Sequence, residues 1–345
     1  MSLKKQLSIG VIGIGHWGPN IVRNFANHQR VQLRYVCDID ERKLKRVSNL
    51  ITKECRCVTD ASEIFNDANV DAVAIVSPAS THYALVKKAM LAKKHVYCEK
   101  PLTLNVKETE ELCKLAETSK RKLMVAFTFL FNNGVRQLKK LKDSGVLGKL
   151  YYLTSIRTHM GLVRDDVDVV WDLAPHDVSI INYLLGSMPK KVLATGAKPL
   201  GGKHYDVAFI SLYYPNGVMG QICVSWVDSN KERVVRIIGS KARAEFNDLD
   251  NLEPVRIFKK GISVVDRSEA DFGKFRFLLR DGDIISPKTN MSEPLSEMVN
   301  SFVGAVLDEK EIISDGKYAL DVTKTIVAIQ KSLSSGAIQE VVNGS

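Results

Sequence analysis

The sequence predicts an α/β fold: a doubly wound parallel sheet, then an α+β domain with an open, mainly antiparallel sheet. Three observations carry this. In the first third, short apolar runs alternate with helix-like stretches, the pattern of β-α-β units. The string Gly13-Ile14-Gly15-His16-Trp17-Gly18 ends the first run and opens the first helix. After about residue 130 the runs lengthen, alternate with period two and are separated by turns such as Pro215-Asn216-Gly217.

Taken in order, the runs beginning at Leu7, Val31, Asp71, His95 and Leu123 read as strands. The stretches Trp17 to Asn27, Glu41 to Ile51, Thr81 to Ala92 and Val106 to Ser119 read as helices. Right-handed crossovers place those helices on both faces of the sheet. The run Val70 to Val76 is almost wholly apolar, as a central strand buried on both sides requires. A helix from Val135 to Ser144 follows. Strand-like segments then run from Leu150 to Arg157, Lys191 to Ala197, Val207 to Tyr214, Gly217 to Val227 and Arg233 to Gly239, read as an antiparallel meander. One helix interrupts them, from about Asp172 to Leu185, closed by Gly186. The stretch 248–290 is turn-rich and receives no element. Helices from Pro294 to Leu307 and Tyr318 to Leu333 complete the order. A chain of 345 residues suits two domains. We expect a nucleotide-binding domain at 1–128 and a substrate-binding and oligomerisation domain at 129–345. An open sheet leaves one face to cover, and a second subunit is a candidate cover.

Composition narrows the classes. Hydrophobic residues make up 45%, a normal globular share. No uncharged apolar run of about 18 residues occurs, so no membrane span is expected. The N-terminal string shows no signal-peptide core. The six cysteines, Cys37, Cys55, Cys57, Cys98, Cys113 and Cys223, match no zinc spacing. They read as free thiols in a reducing cytoplasm, with no metal site. The net charge is +10 and the pI about 9.2. The basic residues are spread along helices, as in Glu41 to Arg46 and Lys139 to Lys142, without interleaved aromatics. That argues against a nucleic-acid surface and favours small molecules bearing phosphate.

The glycine string sets the cofactor. Gly13 allows a tight turn, Gly15 lets the backbone approach a pyrophosphate, and Gly18 permits close packing of helix on strand in a Rossmann dinucleotide fingerprint. The helix N-terminus offers free N–H groups to the phosphates. The second strand ends at Asp38, at the spacing expected for the acid that accepts from an adenosine ribose. Each such bond contributes roughly 1.5–3 kcal/mol. A carboxylate there repels a 2′-phosphate, so NAD is favoured over NADP, with Arg42 and Lys43 as a partial offset. His16 and Trp17 lie inside the turn and count with the cofactor side. Trp17 is expected to pack against the domain rather than stack on the cofactor. Two further strand ends carry Ser77-Pro78-Ala79-Ser80-Thr81-His82 and Cys98-Glu99-Lys100-Pro101. Ligands gather at the carboxyl ends of strands in such sheets, which places Ser77, Pro78, His82, Glu99 and Lys100 beside the cofactor. Lys100 is suited to hydrogen-bond a hydroxyl or carbonyl oxygen and stabilise charge developing on it. A surface Lys-Glu pair is the plainer alternative.

These strings, above all Glu99-Lys100-Pro101, resemble the Gfo/Idh/MocA oxidoreductase family over nearly the whole chain. The resemblance includes Asp172-Leu-Ala-Pro-His-Asp177 and the closing segments from Pro294 and Asp315. It implies an NAD(P)-dependent sugar or cyclitol dehydrogenase, a homodimer or homotetramer. The combination of Gly15-His-Trp-Gly-Pro-Asn20 with Trp171 to Asp177 looks most like the branch acting at C3 of nucleotide-linked sugars. The resemblance assigns Lys100, Asp172 and His176 to the reacting carbon. From the residues alone, Asp172 and His176 are four apart and share a helical face. Pro175 is expected in the first turn, which makes Asp172 equally a helix cap. His176 would then sit near the positive helix end, where imidazolium is disfavoured. A substrate hydroxyl between Lys100 and His176 would lose its proton to His176. Arg157, Arg164 and Asp168 are read as a loop lining the substrate pocket, the arginines suited to a pyrophosphate or a sugar carboxylate. Phe131 and Asn132 stand where family members often supply an aromatic or Arg-Tyr substrate contact; Thr128 to Asn133 contains no arginine. The alternatives are a dehydrogenase of a free sugar or cyclitol and a non-catalytic dinucleotide sensor on the same fold.

Overall fold

The computed structural model describes residues 6–161, 163–264, 277–290 and 292–341. The first five residues, part of the string read above for a leader, lie outside the described residues, as does 265–276 of the stretch given no element. The chain forms two compact units, Met1–Phe131 with Ser292–Thr323, and Asn132–Met291 with Lys324–Ser345. The linear division at 128/129 is therefore corrected: a late segment returns to the first unit.

The first unit alternates β1 (Leu7–Ile12), α1 (Gly18–Ala26), β2 (Val31–Cys37), α2 (Glu41–Leu44), β3 (Arg56–Val58), α3 (Ser62–Asn66), β4 (Ala72–Ile75), α4 (Ala79–Leu91), β5 (His95–Cys98), α5 (Val106–Ser119) and β6 (Leu123–Val125). The strands form one parallel sheet in the order β3-β2-β1-β4-β5-β6. β1 and β4 are buried along their whole length, as their apolar runs anticipate. The strand order reverses between them, which opens a crevice at their carboxyl ends. β3 and α3 were not anticipated. β3 has three residues, two of them exposed, so it carries no apolar pattern. The helix expected to Ile51 stops at Leu44 and tightens into a 3₁₀ turn over Lys45–Val47.

The second unit contains α6 (Asn133–Asp143), β7 (Leu150–Met160), α7 (Val169–Leu185), β8 (Lys191–Ala197), β9 (Val207–Tyr213), β10 (Met219–Ser225), β11 (Val227–Gly239), β12 (Arg243–Asn247), β13 (Val255–Phe258), β14 (Gly261–Val264), β15 (Phe277–Arg280) and β16 (Ile284–Ile285). The chain continues through α8 (Pro294–Leu307), α9 (Gly316–Ser335) and β17 (Gln339–Glu340). Nine strands form a mixed sheet in the order β16-β13-β12-β11-β7-β10-β9-β8-β17. The expected meander is corrected at its centre. β7 and β10 pair in parallel, with Met219 opposite Tyr152, and the other pairs are antiparallel. α7 lies against β7, β9 and β10. On the outer face Tyr152, Phe209 and Met219 are exposed.

α8 is the segment that returns to the first unit. Phe302 meets Tyr97 and Phe25 edge-on, with centroids 5.9 and 6.3 Å apart, and Phe25 meets Tyr97 at 5.6 Å. Edge-to-face aromatic pairs add about 0.5–1.5 kcal/mol each beyond area burial. Arg30 closes the contact with a two-pronged ion pair to Asp308, at 2.7 and 2.8 Å.

Candidate active site

The glycine turn in the first unit has the geometry a dinucleotide needs. Gly13 has φ +98°, and a Cβ there would lie 2.6 Å from the backbone nitrogen of Ser77. A side chain at this position is excluded by strain and by the end of β4. A Cβ on Gly18 would lie 2.7 Å from the Gly13 carbonyl oxygen, so α1 rests directly on the turn. Gly15 is the opposite case: a Cβ there would meet nothing within 4 Å. The open space lies at the start of a nine-residue helix with no acidic residue in its first turn. These residues fit a pyrophosphate, which needs bare backbone and positive helix end together.

Asp38 differs from its expected orientation. Its Oδ2 accepts from Ile14 N–H at 2.7 Å and its Oδ1 from Asp40 N–H at 2.9 Å. The side chain is 6% exposed, with Lys43 Nζ 3.7 Å away. Asp38 thus fastens β2 to the glycine turn, and a ribose would share an already engaged carboxylate. Arg46, which the sequence reading passed over, reaches the rim of the same turn and donates to the carbonyls of Ile14 and Gly15 at 3.4 and 3.5 Å. Its place in the basic stretch after Asp38 was the available signal. Trp17 is a correction: it is 52% exposed, touching the ring of His16 edge-on, and does not pack as core.

His82 is also corrected. It is buried, and its two ring nitrogens lie 2.8 Å from the carbonyl oxygens of Pro101 and Ser77. It braces the loop after β4 against the loop after β5 rather than facing a ligand. Burial holds its imidazole below the usual histidine range. The Ser77 hydroxyl pairs with Thr81 at 2.6 Å, and Thr81 donates to the Pro78 carbonyl. Glu99 is half-buried, and loss of solvent around its carboxyl pushes it up to about 7 against the pull of Lys100. The Lys100 N–H donates to Glu99 Oε2 at 3.3 Å, and the Lys100–Pro101 bond is cis.

In the second unit α7 starts three residues earlier than expected, capped by Asp168, whose Oδ1 accepts from Trp171 N–H at 3.0 Å. Asp168 also accepts from Gln330, which commits it to the frame and not to a pocket. Asp172 is therefore not the cap. Pro175 stands inside the helix. It marks no first turn, and the helix-end argument for His176 fails because that field fades within one turn. Most of α7 is buried; of its five half-buried residues, Trp171, Asp172, His176, Tyr183 and Leu185, the acid, the histidine and the tyrosine are spaced so that they share one face. Asp172 accepts from Arg164 at Oδ1 and from the Trp226 indole N–H at Oδ2, both at 3.2 Å. Arg164 is gripped by Asp166 through two bonds of 2.9 and 2.7 Å. Asp166 holds its guanidinium above the ordinary arginine range.

Three substrate expectations change. Arg157 lies on β7, not in a loop; it is 4% exposed and grips the fully buried Asp177 at 2.9 and 3.1 Å. Asp177 also accepts from Ser155 at 2.7 Å. Asn132 caps α6 through Gly134 N–H at 2.8 Å and donates to Asp248. Phe131 is fully buried in the first unit. Among the described residues no group of acids, histidines or cysteines is arranged to hold a metal, and no helix is long and apolar enough to cross a membrane.

Comparison with known proteins decides the class. The model described as "Oxidoreductase family, NAD-binding Rossmann fold" matches residues 7–127, and the Gfo/Idh/MocA C-terminal domain matches residues 135–245. The chain belongs to the Gfo/Idh/MocA oxidoreductase family. It is an NAD-dependent oxidoreductase, and its first unit is the NAD-binding domain. The UDP-N-acetylglucosamine 3-dehydrogenase of Acidithiobacillus ferrooxidans is 28% identical over 90% of this chain and 92% of its own. A solved structure of that enzyme has a TM-score of 0.81 at 25% identity, covering 96% of this chain and 98% of its own. The myo-inositol 2-dehydrogenase of Thermotoga maritima is 28% identical over 69% of this chain and 74% of its own. Glu99-Lys100-Pro101 lies on the first unit of this Gfo/Idh/MocA protein and Asp172 to Asp177 on the second.

Proposed function

We propose that this oxidoreductase exchanges a hydride with a secondary hydroxyl of a sugar, at C3 of a nucleotide-linked sugar such as a UDP-N-acetylhexosamine or its uronic acid. The observation that carries the reading is α7, a mostly buried helix on which the half-buried Asp172 and His176 lie four apart on one face. The similarity to the Acidithiobacillus 3-dehydrogenase along almost the full chain supports the choice of C3. A cyclitol is the second reading, favoured by equal identity to a myo-inositol 2-dehydrogenase.

In this mechanism NAD, when bound, accepts the hydride. The turn at Gly13, Gly15 and Gly18 holds its phosphates, and Asp38 with Lys43 and Arg46 frames the adenosine end. A carboxylate at 38 supports NAD over NADP. His176 takes the proton from the substrate hydroxyl, and Asp172 orients the imidazole or the hydroxyl beside it. Lys100 donates to the oxygen on which charge develops. Arg164, half-exposed and held by acids on both sides, is suited to exchange one of them for a substrate anion. The second unit also serves assembly. Its outer sheet face carries Tyr152, Phe209 and Met219 in the open, which supports a homodimer or homotetramer. Free cysteines among the described residues support a reducing cytoplasm.

The test is isotopic. UDP-N-acetylglucosamine deuterated at C3 should pass its label to the nicotinamide ring, giving deuterated NADH by mass spectrometry. Label retained in a product oxidised elsewhere would overturn the C3 assignment.

A further inference from the structure

The Trp226 indole sits beside the acid of α7 in a way that packing alone does not explain. Trp226 lies between β10 and β11 and is 1% exposed, the largest of the fully buried side chains among the described residues. A buried indole N–H must find an acceptor or carry an unmet desolvation cost. Its acceptor is Asp172 Oδ2, at 3.2 Å. The other oxygen of the same carboxylate takes Arg164 NH1, also at 3.2 Å. Two donors on two different oxygens fix the plane of the carboxylate as well as its place. They differ in permanence. The Arg164 side chain is 39% exposed, shared with Asp166, and on a segment before the helix. The indole is walled in, and its backbone N–H is bound to the Asp206 carbonyl at 2.9 Å. Neither leucine nor phenylalanine, though apolar enough for the site, carries a donor for Asp172.

We propose that Trp226 is a positioning residue: its indole N–H holds the Asp172 carboxylate in the orientation the reaction uses, on the face of α7 that carries His176. This rests on the reading of Asp172 given above. Arg164 can leave for a substrate anion while the indole keeps Asp172 in register. Positioning of this kind acts on turnover and leaves NAD binding alone, because the glycine turn belongs to the other unit.

The experiment is a double-mutant cycle on the full chain with Trp226→Phe, Asp172→Asn and the pair, assayed with NAD and UDP-N-acetylglucosamine, or with myo-inositol if only that turns over. Trp226→Phe keeps one aromatic ring and deletes the pyrrole half of the indole with its N–H. It should lower kcat about tenfold, the scale of one hydrogen bond to a charged group, with the Kd for NAD unchanged. The pair should be no worse than Asp172→Asn alone. The second measurement needs no turnover. In a proton–nitrogen spectrum of the 15N-labelled protein, the Trp226 indole signal, identified by its loss in Trp226→Phe, should shift in Asp172→Asn. Additive losses in kcat, or an indole signal indifferent to Asp172→Asn, would overturn the proposal. Full turnover in Asp172→Asn with a shifted indole signal would instead remove the underlying role of Asp172, and the positioning role with it. If Trp226→Phe fails to fold, the signal is identified by elimination with Trp17→Phe and Trp171→Phe, the other two tryptophans, and its response to Asp172→Asn decides alone.

Discussion

Glu99 shows how one residue's environment becomes measurable. Desolvation pushes its carboxyl up to about 7 from an ordinary 4.5. Between those values the folded chain holds a proton that the unfolded chain has released. Its contribution to stability is therefore full below pH 4.5 and falls as pH rises to about 7, by about 3 kcal/mol at 1.36 kcal/mol per unit. Glu99→Gln removes that titration. Denaturant unfolding of both proteins should show the variant gaining on the wild type by roughly this amount between pH 5 and pH 8. A constant difference across that range would contradict the raised titration. At the same scale, His176→Ala should lower turnover by about 10²–10⁴-fold, the usual worth of a general base, with NAD affinity intact in a fluorescence titration. Near-normal turnover would end its assignment as the base. The glycines were legible because spacing encodes backbone geometry directly, and Gly13, Gly15 and Gly18 each meet the surroundings their positions imply. Asn132 and Arg157 were not. A sequence does not state whether an asparagine caps its own helix, or which face of a strand an arginine occupies.

The element that decides the second unit is α7. Its C-terminus at Gly186 was readable, since glycine ends the helix there at φ +71°. Its start was not. Pro175 suggested a first turn, but the helix runs through it because Asp168 caps the true start and packing on three strands outweighs one missing hydrogen bond. The pairing of β7 with β10 was equally hidden, because parallel pairs join segments far apart in sequence. Asp177 and Arg157 bolt α7 to β7, twenty positions apart and both buried. Removing one partner strands the other: Asp177→Leu alone should cost about 3–5 kcal/mol in denaturant unfolding. The paired change Arg157→Met with Asp177→Leu should recover most of that loss. Equal cost for the single and paired variants would show that the ion pair itself, not the orphaned charge, carries the stability.

At the scale of the whole chain, the alternation of strands and helices fixed the parallel sheet, and the change near residue 130 marked the second unit. The return of α8 to the first unit left no local trace. Its cause is long-range, the burial of Phe302 against Phe25 and Tyr97. The outer face of the nine-stranded sheet makes a prediction of its own. Phe209→Lys with Met219→Lys places two charges on it, and light scattering should then report a 38.4 kDa monomer in place of the dimer or tetramer proposed for the wild type. An unchanged assembly would move the interface elsewhere. The central claim, hydride exchange with a nucleotide-linked sugar, is tested most directly by NADH absorbance on a panel of UDP-sugars, free sugars and inositols. NADH should form with UDP-N-acetylglucosamine or its uronic acid, at a kcat/KM about tenfold or more above any free sugar or inositol, the scale that recognition of the nucleotide should supply. NADH binding without turnover on any member, or a preference for an inositol, would contradict it.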